Sequence, residues 1–332
     1  MAMFDFPLDK LREYRPDVAA PADLVEFWRG SIEKARTDDL SATFTEIDNK
    51  LAVIDTYDVT YAGFGGSPVK GWLHVPAGAT GPLPTIVQYH GYSGGRGLPH
   101  AINFWAQAGY AHFVTDTRGQ GWTSGGSGTP DDSADAGLNH VPGFLTAGIT
   151  DPETYYYRRV YIDAVRALEA ARTSPFVDPD RLVVAGVSQG GGIAIAAAGL
   201  APLAGIDLRG CAPDVPFLCH FQRAVQLTDH GRYHEIAQYL KGFRHQAGPV
   251  LDTLSYFDGV NLGRLATAPA LFSVALMDAN CPPSTVFAAY NHYGNEQKDI
   301  KVYPYNGHEG GQAYQQEAQL DWFSNIFATP TK

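Results

Sequence analysis

The sequence predicts an α/β fold, in which helices cover both faces of a mainly parallel sheet. From about residue 85 onward, short apolar runs alternate with helical patterns, an order that implies parallel strands joined by crossover helices. The runs 85–89 and 181–187 are almost entirely apolar, as strands buried on both faces require. A hairpin pattern before them predicts antiparallel strands at one edge of the sheet.

The first predicted elements are a helix and that hairpin. Apolar residues recur at helical spacing through 22–36, which predicts an amphipathic helix. Strand-like runs follow at 57–61 and 69–75, and the glycine pair at 65–66 marks the turn between them. These two strands would form the antiparallel edge.

The alternation of strands and helices fills most of the remaining chain. Strands are predicted at 85–90, 111–117, 181–187, 269–277 and 300–305, with a further strand-like segment at 206–212. Helices are predicted at 102–108, 156–171, 191–200, 284–292 and 314–327.

Two stretches interrupt the alternation. Residues 118–152 are Gly-rich and polar without a clear period, which indicates a long loop across the strand ends. Residues 213–264 contain helix-like pieces at 217–226 and 233–244, where a single crossover is expected. We interpret 213–264 as an inserted cap or assembly segment, and residues 1–332 as one domain that carries it.

Composition argues against several classes of function. Asp and Glu number 35 against 24 Lys and Arg, the net charge is −11, and no basic run is present, so a nucleic-acid backbone would be repelled. No apolar stretch has the length of a secretory signal or a membrane span, so we expect a cytoplasmic protein without a membrane partner. Cys211, Cys219 and Cys281 are expected to be reduced thiols, and no Cys/His spacing predicts a metal site.

A candidate nucleophile lies between a predicted strand and a predicted helix. Residues 186–190 match G-x-S-x-G around Ser188, the pattern of the sharp nucleophile turn in the α/β-hydrolase fold. Residues 91–95 match the same pattern around Ser93, but glycines and a proline delay the next helix there. A nucleophile turn needs a helix immediately after the serine, so the sequence favours Ser188 and predicts a loop at Ser93.

The base is predicted from chain order. In this fold the nucleophile is followed by an acid and then by a histidine. His292 and His308 are the candidates after the later acids, and His292 lies inside a predicted helix. His308 follows the predicted strand at 300–305, in a loop at the strand ends where catalysis occurs in open α/β sheets. We therefore predict His308 as the base.

The acid lies between those two positions. Asp278 ends the predicted strand at 269–277 and opens the next loop, from which a carboxylate can reach the imidazole. Such a carboxylate fixes the tautomer of the histidine and stabilises the imidazolium. Asp214, after the strand-like segment at 206–212, is the alternative. The sequence favours Asp278, whose non-catalytic interpretation is a carboxylate that caps its own loop.

Two backbone N–H groups are predicted to form the oxyanion hole. Gln189 begins the helix after the nucleophile, so its N–H points toward the reacting group. The second donor is expected from the loop after the strand at 85–90, where we choose the N–H of Tyr92. His90 in the same loop precedes the nucleophile in sequence, and we interpret it as a residue that braces the loop by hydrogen bonding.

Taken together, these motifs resemble one family, the acetyl xylan esterases and cephalosporin-C deacetylases, which are carbohydrate esterases of the α/β-hydrolase fold. The resemblance covers nearly the whole chain. The matching stretches are 118–120, 155–161, 186–190, 214–219, Asp278 with 281–285, and His308-Glu309.

The resemblance implies features that composition does not show. It implies the same acid, base and nucleophile, oxyanion donors at Tyr92 and Gln189, and support of the site by Arg118 and Gln120. It further implies a homohexamer with active sites facing an interior cavity, whose entrance is narrowed by the inserted segment so that small acyl esters are favoured. Ala147 stands where this family would lead us to expect a basic residue, which affects local loop or interface contacts rather than the chemistry.

The sequence therefore predicts a serine esterase without a cofactor. Its substrates would be acetyl or other short-chain esters, such as acetylated xylo-oligosaccharides and cephalosporin C, hydrolysed through an acetyl-enzyme on Ser188. The alternatives are a serine peptidase, a lipase or a broad carboxylesterase of the same fold, and a non-catalytic binding protein that keeps only the fold. All three positions of the triad are filled, which favours an enzyme over the binding protein.

Overall fold

A nine-stranded sheet forms the centre of the molecule, with the strand order β1-β2-β3-β5-β4-β6-β7-β8-β9. The computed structural model describes residues 3–124, 128–131, 142–229 and 231–328. The strands are β1 (Thr43–Ile47), β2 (Ile54–Ala62), β3 (Pro68–Pro76), β4 (Leu83–Tyr89), β5 (Ala111–Thr115), β6 (Val177–Val187), β7 (Gly210–Asp214), β8 (Ala270–Ala275) and β9 (Lys298–Tyr303).

The strand directions follow the prediction. Strands β1, β2, β3 and β5 pair antiparallel, whereas β5, β4, β6, β7, β8 and β9 pair parallel. Strand β1 was not predicted, because its residues are mostly exposed and its pattern is polar. The predicted mainly parallel sheet with an antiparallel N-terminal edge is confirmed.

Helices cover both faces of this sheet. They are α1 (Leu8–Glu13), α2 (Leu24–Ala35), α3 (Phe104–Gln107), α4 (Tyr156–Ala171), α5 (Gln189–Leu200), α6 (Phe221–Leu227), α7 (Tyr233–Gly242), α8 (Ala247–Ser255), α9 (Gly259–Gly263), α10 (Pro283–His292) and α11 (Gln312–Ala328). Every residue of α5 is buried, which explains why a run of small side chains follows the nucleophile turn. The helix can approach the strands closely because those side chains are short.

Several boundaries differ from the prediction, among them those of α3, α5 and β7. Helix α3 is a single turn, shorter than the predicted 102–108. Helix α5 begins at Gln189 rather than at residue 191, because glycine has low intrinsic helix propensity and the pattern therefore underestimates this end. Strand β7 lies at Gly210–Asp214, later than the predicted 206–212.

The inserted segment at 213–264 supplies four helices, α6 to α9, where two were predicted. Its apolar side chains belong to the same hydrophobic cluster as the sheet, and Tyr233, Val250 and Phe257 are fully buried in it. The segment is therefore packed onto the body of the molecule. Within the predicted loop at 118–152, the described residues form only a short 3-10 turn at Trp122–Ser124, and 125–127 and 132–141 lie outside the described residues.

Among the helices that the structure describes, none has both the length and the apolar character needed to cross a lipid bilayer.

Candidate active site

Ser188 occupies a sharp turn between β6 and α5. Its φ of 58° and ψ of −119° lie in a region that L residues rarely adopt, so the surrounding structure has to hold it. Its backbone N–H donates to the carbonyl of Asp214 at 2.9 Å. A Cβ at Gly186 would lie 2.4 Å from the carbonyl of Gly190, and one at Gly190 would lie 2.2 Å from the carbonyl of Tyr89. Both glycines of the motif are thus required by close backbone packing.

The imidazole of His308 lies between the two partners that the sequence predicted for it. Its Nε2 is 2.9 Å from Oγ of Ser188, and its Nδ1 is 2.8 Å from Oδ2 of Asp278. His308 follows β9, and Asp278 follows β8, so both come from the carboxyl ends of neighbouring strands. The parallel sheet brings together three side chains that are far apart in the sequence.

Asp278 is fully buried and its carboxylate is completely oriented. While Oδ2 faces His308, Oδ1 accepts the backbone N–H groups of Asn280 at 2.8 Å and Cys281 at 2.9 Å. The loop-capping role considered from the sequence is therefore present together with the contact to the imidazole. One carboxylate oxygen holds the loop, and the other remains for the histidine.

Asp214, the alternative acid, has other partners. Its oxygens accept hydrogen bonds from the amides of Gln315 at 2.8 Å and Gln319 at 3.0 Å, both in α11. Burial raises the pKa of Asp214 to about 7, and the hydrogen bonds from these amides only partly offset that effect. His292, the alternative base, lies in α10, where its Nδ1 contacts the carbonyl of Ala288 at 2.9 Å. Neither residue is hydrogen-bonded to the Ser188–His308 pair through its side chain.

The predicted oxyanion donors both lie at the nucleophile. Gly91, Tyr92 and Ser188 line one cavity, and Gln189 is the residue directly after Ser188. Within the described part of the chain, neither the N–H of Tyr92 nor that of Gln189 has a hydrogen-bond acceptor. Two unpaired N–H groups beside a serine hydroxyl are suited to receive an oxyanion.

The loop that carries Tyr92 is fixed from below by two glutamine side chains. Gln120 accepts the backbone N–H of Ser93 at 2.7 Å and donates to Oε1 of Gln189 at 3.0 Å. Gln189 in turn donates to the carbonyl of His90 at 3.2 Å and accepts from the phenol of Tyr157 at 2.8 Å. Gln120 therefore connects the loop of Tyr92 to Gln189, and the side chain of Gln189 has a structural role in addition to its N–H.

Arg118 is completely buried beside this network. Its guanidinium forms a two-point ion pair with Asp163, at 2.5 Å from Nε to Oδ2 and 2.7 Å from Nη2 to Oδ1. Burial alone would lower the pKa of Arg118, but the carboxylates of Asp163 and Asp131 more than offset this and raise it. Its carbonyl accepts the phenol of Tyr156 at 2.5 Å. Arg118 thus joins Asp163 and Tyr156 beneath the active site, and it does not hydrogen-bond to Ser188.

Two residues of the glycine-rich loop differ in their roles. Ser93 has a φ of 69° but is followed by turns, and the next helix, α3, begins only at Phe104, so the predicted loop is present. For His90 the prediction was wrong in detail. Its ring Nε2 is buried without a hydrogen-bond partner among the described residues, and it is the carbonyl of His90 that is held. Burial lowers the pKa of His90 to about 4, so the ring is neutral.

Glu235 is a residue that sequence reasoning missed. It lies in α7 of the inserted segment, and its carboxylate accepts the phenol of Tyr92 at 2.8 Å and the backbone N–H of Leu145 at 3.2 Å. Burial raises the pKa of Glu235. No local pattern distinguishes Glu235 from the other acids on predicted helices, since its partners are distant in sequence.

The catalytic candidates open onto a cavity of about 530 Å³. Ala147, where the family resemblance predicts a basic residue, does not line this cavity. It packs against the core instead, and its carbonyl accepts the N–H of Tyr156 at 3.0 Å. The described residues that line the cavity are Gly91, Tyr92, Ser188, Phe217, Gly231, Arg232, Asn280, Cys281 and His308.

One group of described residues could supply three metal ligands, namely Asp278, Cys281 and His308, whose ligand atoms lie within 4.8 Å of one another. Asp278 and His308 are already hydrogen-bonded to each other. Burial raises the pKa of the Cys281 thiol well above its ordinary value, whereas a metal binds the thiolate. The carboxylate oxygen and the ring nitrogen that would bind an ion are therefore already paired with each other.

The acetyl xylan esterase (AXE1) family matches the chain from residue 1 to residue 326. Two solved structures are similar over nearly their whole length. The acetyl xylan esterase from Paenibacillus sp. R4 shares 40% sequence identity at a TM-score of 0.88, over 96% of this chain and 99% of that chain. Acetyl xylan esterase 1 from Thermoanaerobacterium sp. JW/SL YS485 shares 32% at a TM-score of 0.87, over 98% of this chain and 100% of that chain.

A curated relative is longer than this chain. The acetyl esterase Axe7A of Xylanibacter ruminicola is 24% identical over 303 residues, which cover 89% of this chain. The chain spans 65% of that relative's length. Together with the strand order, the similarity to the two solved structures confirms the predicted α/β-hydrolase fold.

Proposed function

This chain belongs to the acetyl xylan esterase family, a family of carboxylic ester hydrolases, and we propose that it removes acetyl groups from small esters through an acetyl-enzyme on Ser188. One observation carries the proposal. The oxygen of Ser188, the imidazole of His308 and the carboxylate of Asp278 form a continuous hydrogen-bonded series, with distances of 2.9 and 2.8 Å.

The first step is attack of the serine on the ester carbonyl. Asp278 holds the proton of His308 on Nδ1, which leaves Nε2 free to accept the proton of Ser188. The serine oxygen forms a bond to the acetyl carbon, and the carbonyl electrons move to its oxygen. His308 then donates the proton to the alcohol oxygen as the bond between acetyl carbon and alcohol breaks.

The developing oxyanion is stabilised by the N–H groups of Tyr92 and Gln189. Fixed donors in a partly enclosed site stabilise the transition state because they need no reorganisation when charge develops. Water then attacks the acetyl-enzyme with His308 as base, and acetate and free Ser188 result. The alcohol leaves at the end of the first step, so the same acyl-enzyme forms from every substrate with an acetyl group.

The cavity is large enough for a small ester. About 530 Å³ can hold both the acyl and the alcohol part of an acetyl ester. Acetylated xylo-oligosaccharides and cephalosporin C are the substrates we propose. A peptidase or a broad carboxylesterase of the same fold would use the same three side chains, and substrate range distinguishes them.

Ser188→Ala tests the mechanism directly, with 4-nitrophenyl acetate as substrate. We expect turnover to fall by about 10⁶-fold, the loss seen when the nucleophile of a serine hydrolase is removed, with an unchanged melting temperature. Ser93→Ala is the matched control, because Ser93 lies in the second G-x-S-x-G motif, and it should retain most of the activity. A Ser188→Ala variant as active as wild type would disprove the assignment. Labelling of the wild type, but not of this variant, by a fluorophosphonate would exclude a non-catalytic binding protein.

Substrate range requires a second experiment. A series of 4-nitrophenyl esters from acetate to decanoate should show kcat/KM highest at acetate and falling with chain length. Activity that rises beyond about eight carbons would favour a lipase-like enzyme. In such an enzyme each added methylene of the acyl chain binds in an apolar pocket and raises kcat/KM. Acetate release from acetylated xylo-oligosaccharides and from cephalosporin C then identifies the alcohol part.

We also propose, from the family resemblance, that the chain assembles into a hexamer, and its cytoplasmic location stays a prediction from composition. In such an assembly the segment from α6 to α9 would narrow the entrance of the active site. The solution mass from light scattering tests this assembly, and a monomeric mass at micromolar concentration would contradict it.

A further inference from the structure

One guanidinium lines the active-site cavity without a hydrogen-bonding partner among the residues that the structure describes. Arg232 precedes α7 and lines the cavity together with Ser188 and Asn280. It is the only permanently charged side chain among the described residues of this wall. In the part of the chain that the structure describes, no group accepts a hydrogen bond from its five N–H donors, and its side chain is 41% exposed.

The nearest carboxylate does not occupy this guanidinium. Oε1 of Glu235 lies 4.0 Å from Nη1 of Arg232, which is too long for a hydrogen bond. The oxygens of Glu235 are already used by the phenol of Tyr92 and the backbone N–H of Leu145. Glu235 therefore attracts the guanidinium of Arg232 electrostatically, and the N–H donors of Arg232 remain available.

The orientation of Arg232 is restricted by an aromatic ring. Its guanidinium carbon lies 4.8 Å from the ring centroid of Tyr92, a cation–π contact. A guanidinium placed over a ring keeps N–H groups at its edge that can pair with a carboxylate in two-point geometry. Gly231 lets the chain before Arg232 lie close to Asn280, since a Cβ there would lie 2.7 Å from Oδ1 of Asn280.

We propose that Arg232 forms an anion subsite beside Ser188, which binds a carboxylate on the alcohol part of the ester. The chain would thus prefer acidic acetyl esters to neutral ones of the same shape. The overall charge of −11 repels anions, so the preference requires a local cation at the cavity. The inference rests on the proposed esterase function and adds a substrate class to it.

Matched substrate pairs test the subsite. The 2-, 3- and 4-acetoxybenzoates carry the carboxylate at three positions relative to the acetyl group, and their methyl esters are neutral counterparts. The readout is the ratio of kcat/KM for each acid to that for its methyl ester. In Arg232→Gln this ratio should fall by about tenfold for at least one isomer, the effect of losing one charge-assisted hydrogen bond. Arg232→Lys should retain part of the preference.

Arg244→Gln is the control, because it changes the net charge by the same amount. Arg244 is exposed on the same inserted segment and does not line the cavity. Its ratio should equal that of wild type. Unchanged ratios in Arg232→Gln for all three isomers, or an equal decrease in Arg244→Gln, would overturn the inference. Failure of the wild type to hydrolyse both the acids and their methyl esters would instead contradict the proposed function, and the subsite with it.

Discussion

The phenol of Tyr92 donates to the carboxylate of Glu235, at 2.8 Å to Oε1 and 2.9 Å to Oε2, across 143 positions of the sequence. The same phenol oxygen accepts the backbone N–H groups of Gly143 and Phe144, both at 3.0 Å. One side chain thus connects three parts of the chain, namely the oxyanion loop, the long loop before α4 and the inserted segment. The position of the Tyr92 N–H depends on all three.

Tyr92→Phe tests this connection. The variant leaves the N–H groups of Gly143 and Phe144 without their acceptor, and we expect kcat to fall by about tenfold because the oxyanion donor is less well held. Labelling of Ser188 by a fluorophosphonate should still occur. Tyr314→Phe, at a site that is 78% exposed, is the control and should match wild type. Unchanged kcat in Tyr92→Phe would show that the phenol does not position the loop.

Asp278→Asn and Asp214→Asn separate the two candidate acids. With an amide at 278 the wrong tautomer of His308 is held, so kcat for 4-nitrophenyl acetate should fall by roughly 10⁴-fold. Asp214 contacts amides of α11 rather than the imidazole, and its variant should lose roughly tenfold or less. The reverse order of these losses would reassign the acid to Asp214.

The pH dependence of stability should show the buried carboxyl of Asp214. Burial raises its pKa to about 7, compared with about 3.9 in the unfolded chain, so the folded state binds the proton more tightly. The stability from this group is fully present below pH 4 and is lost as the pH rises through 7. His74 and His90, whose pKa burial lowers to about 4, act in the opposite direction over the same range.

Comparison with Asp214→Asn isolates that effect, because the histidines are common to both proteins. We expect the melting temperature of wild type, relative to the variant, to decrease between pH 4.5 and pH 8. Parallel curves for the two proteins would show that the carboxyl titrates normally in the folded state.

Gly190→Ala should destabilise the fold as well as the site. The added methyl group would lie 2.2 Å from the carbonyl of Tyr89, which belongs to the backbone of β4 and cannot easily move. We expect a loss of about 3 kcal/mol in the free energy of unfolding by urea denaturation. Gly30→Ala, in α2 with open space around it, should instead gain roughly 0.5–1 kcal/mol. Equal stabilities would argue against the close packing at the nucleophile turn.

Arg118→Lys tests the buried ion pair with Asp163. A lysine cannot reproduce the two-point contact, and the buried carboxylate would keep at most one donor from residue 118 beside the N–H of Phe64, so we expect a loss of about 3 kcal/mol in the free energy of unfolding. Arg36→Lys is the control, since the ion pair of Arg36 with Glu169 is partly exposed and its replacement should cost about 1 kcal/mol or less. Similar losses in both variants would contradict a special role for the buried pair.

Local patterns were sufficient for most of the fold. Most strands from β2 onward and the helices α2, α4, α5, α10 and α11 lie close to their predicted ranges, because apolar periodicity and turn residues are properties of short segments. Strand β7 is an exception, since it lies later than predicted. Strand β1 escaped prediction because it is polar and is defined only by pairing with β2. Helices α8 and α9 were not predicted, because their apolar residues form a recognisable pattern only where they pack against the core.

The sequence by itself determined the nucleophile turn at Ser188 and placed Asp278 and His308 after strands, since glycine spacing and chain order are local information. Only the tertiary structure decided that His308 contacts Asp278 rather than Asp214, that Glu235 holds Tyr92, and that Arg232 faces the cavity. Those relationships join segments distant along the chain, and they depend on how the inserted segment and α11 pack against the strand ends. No short pattern encodes that packing.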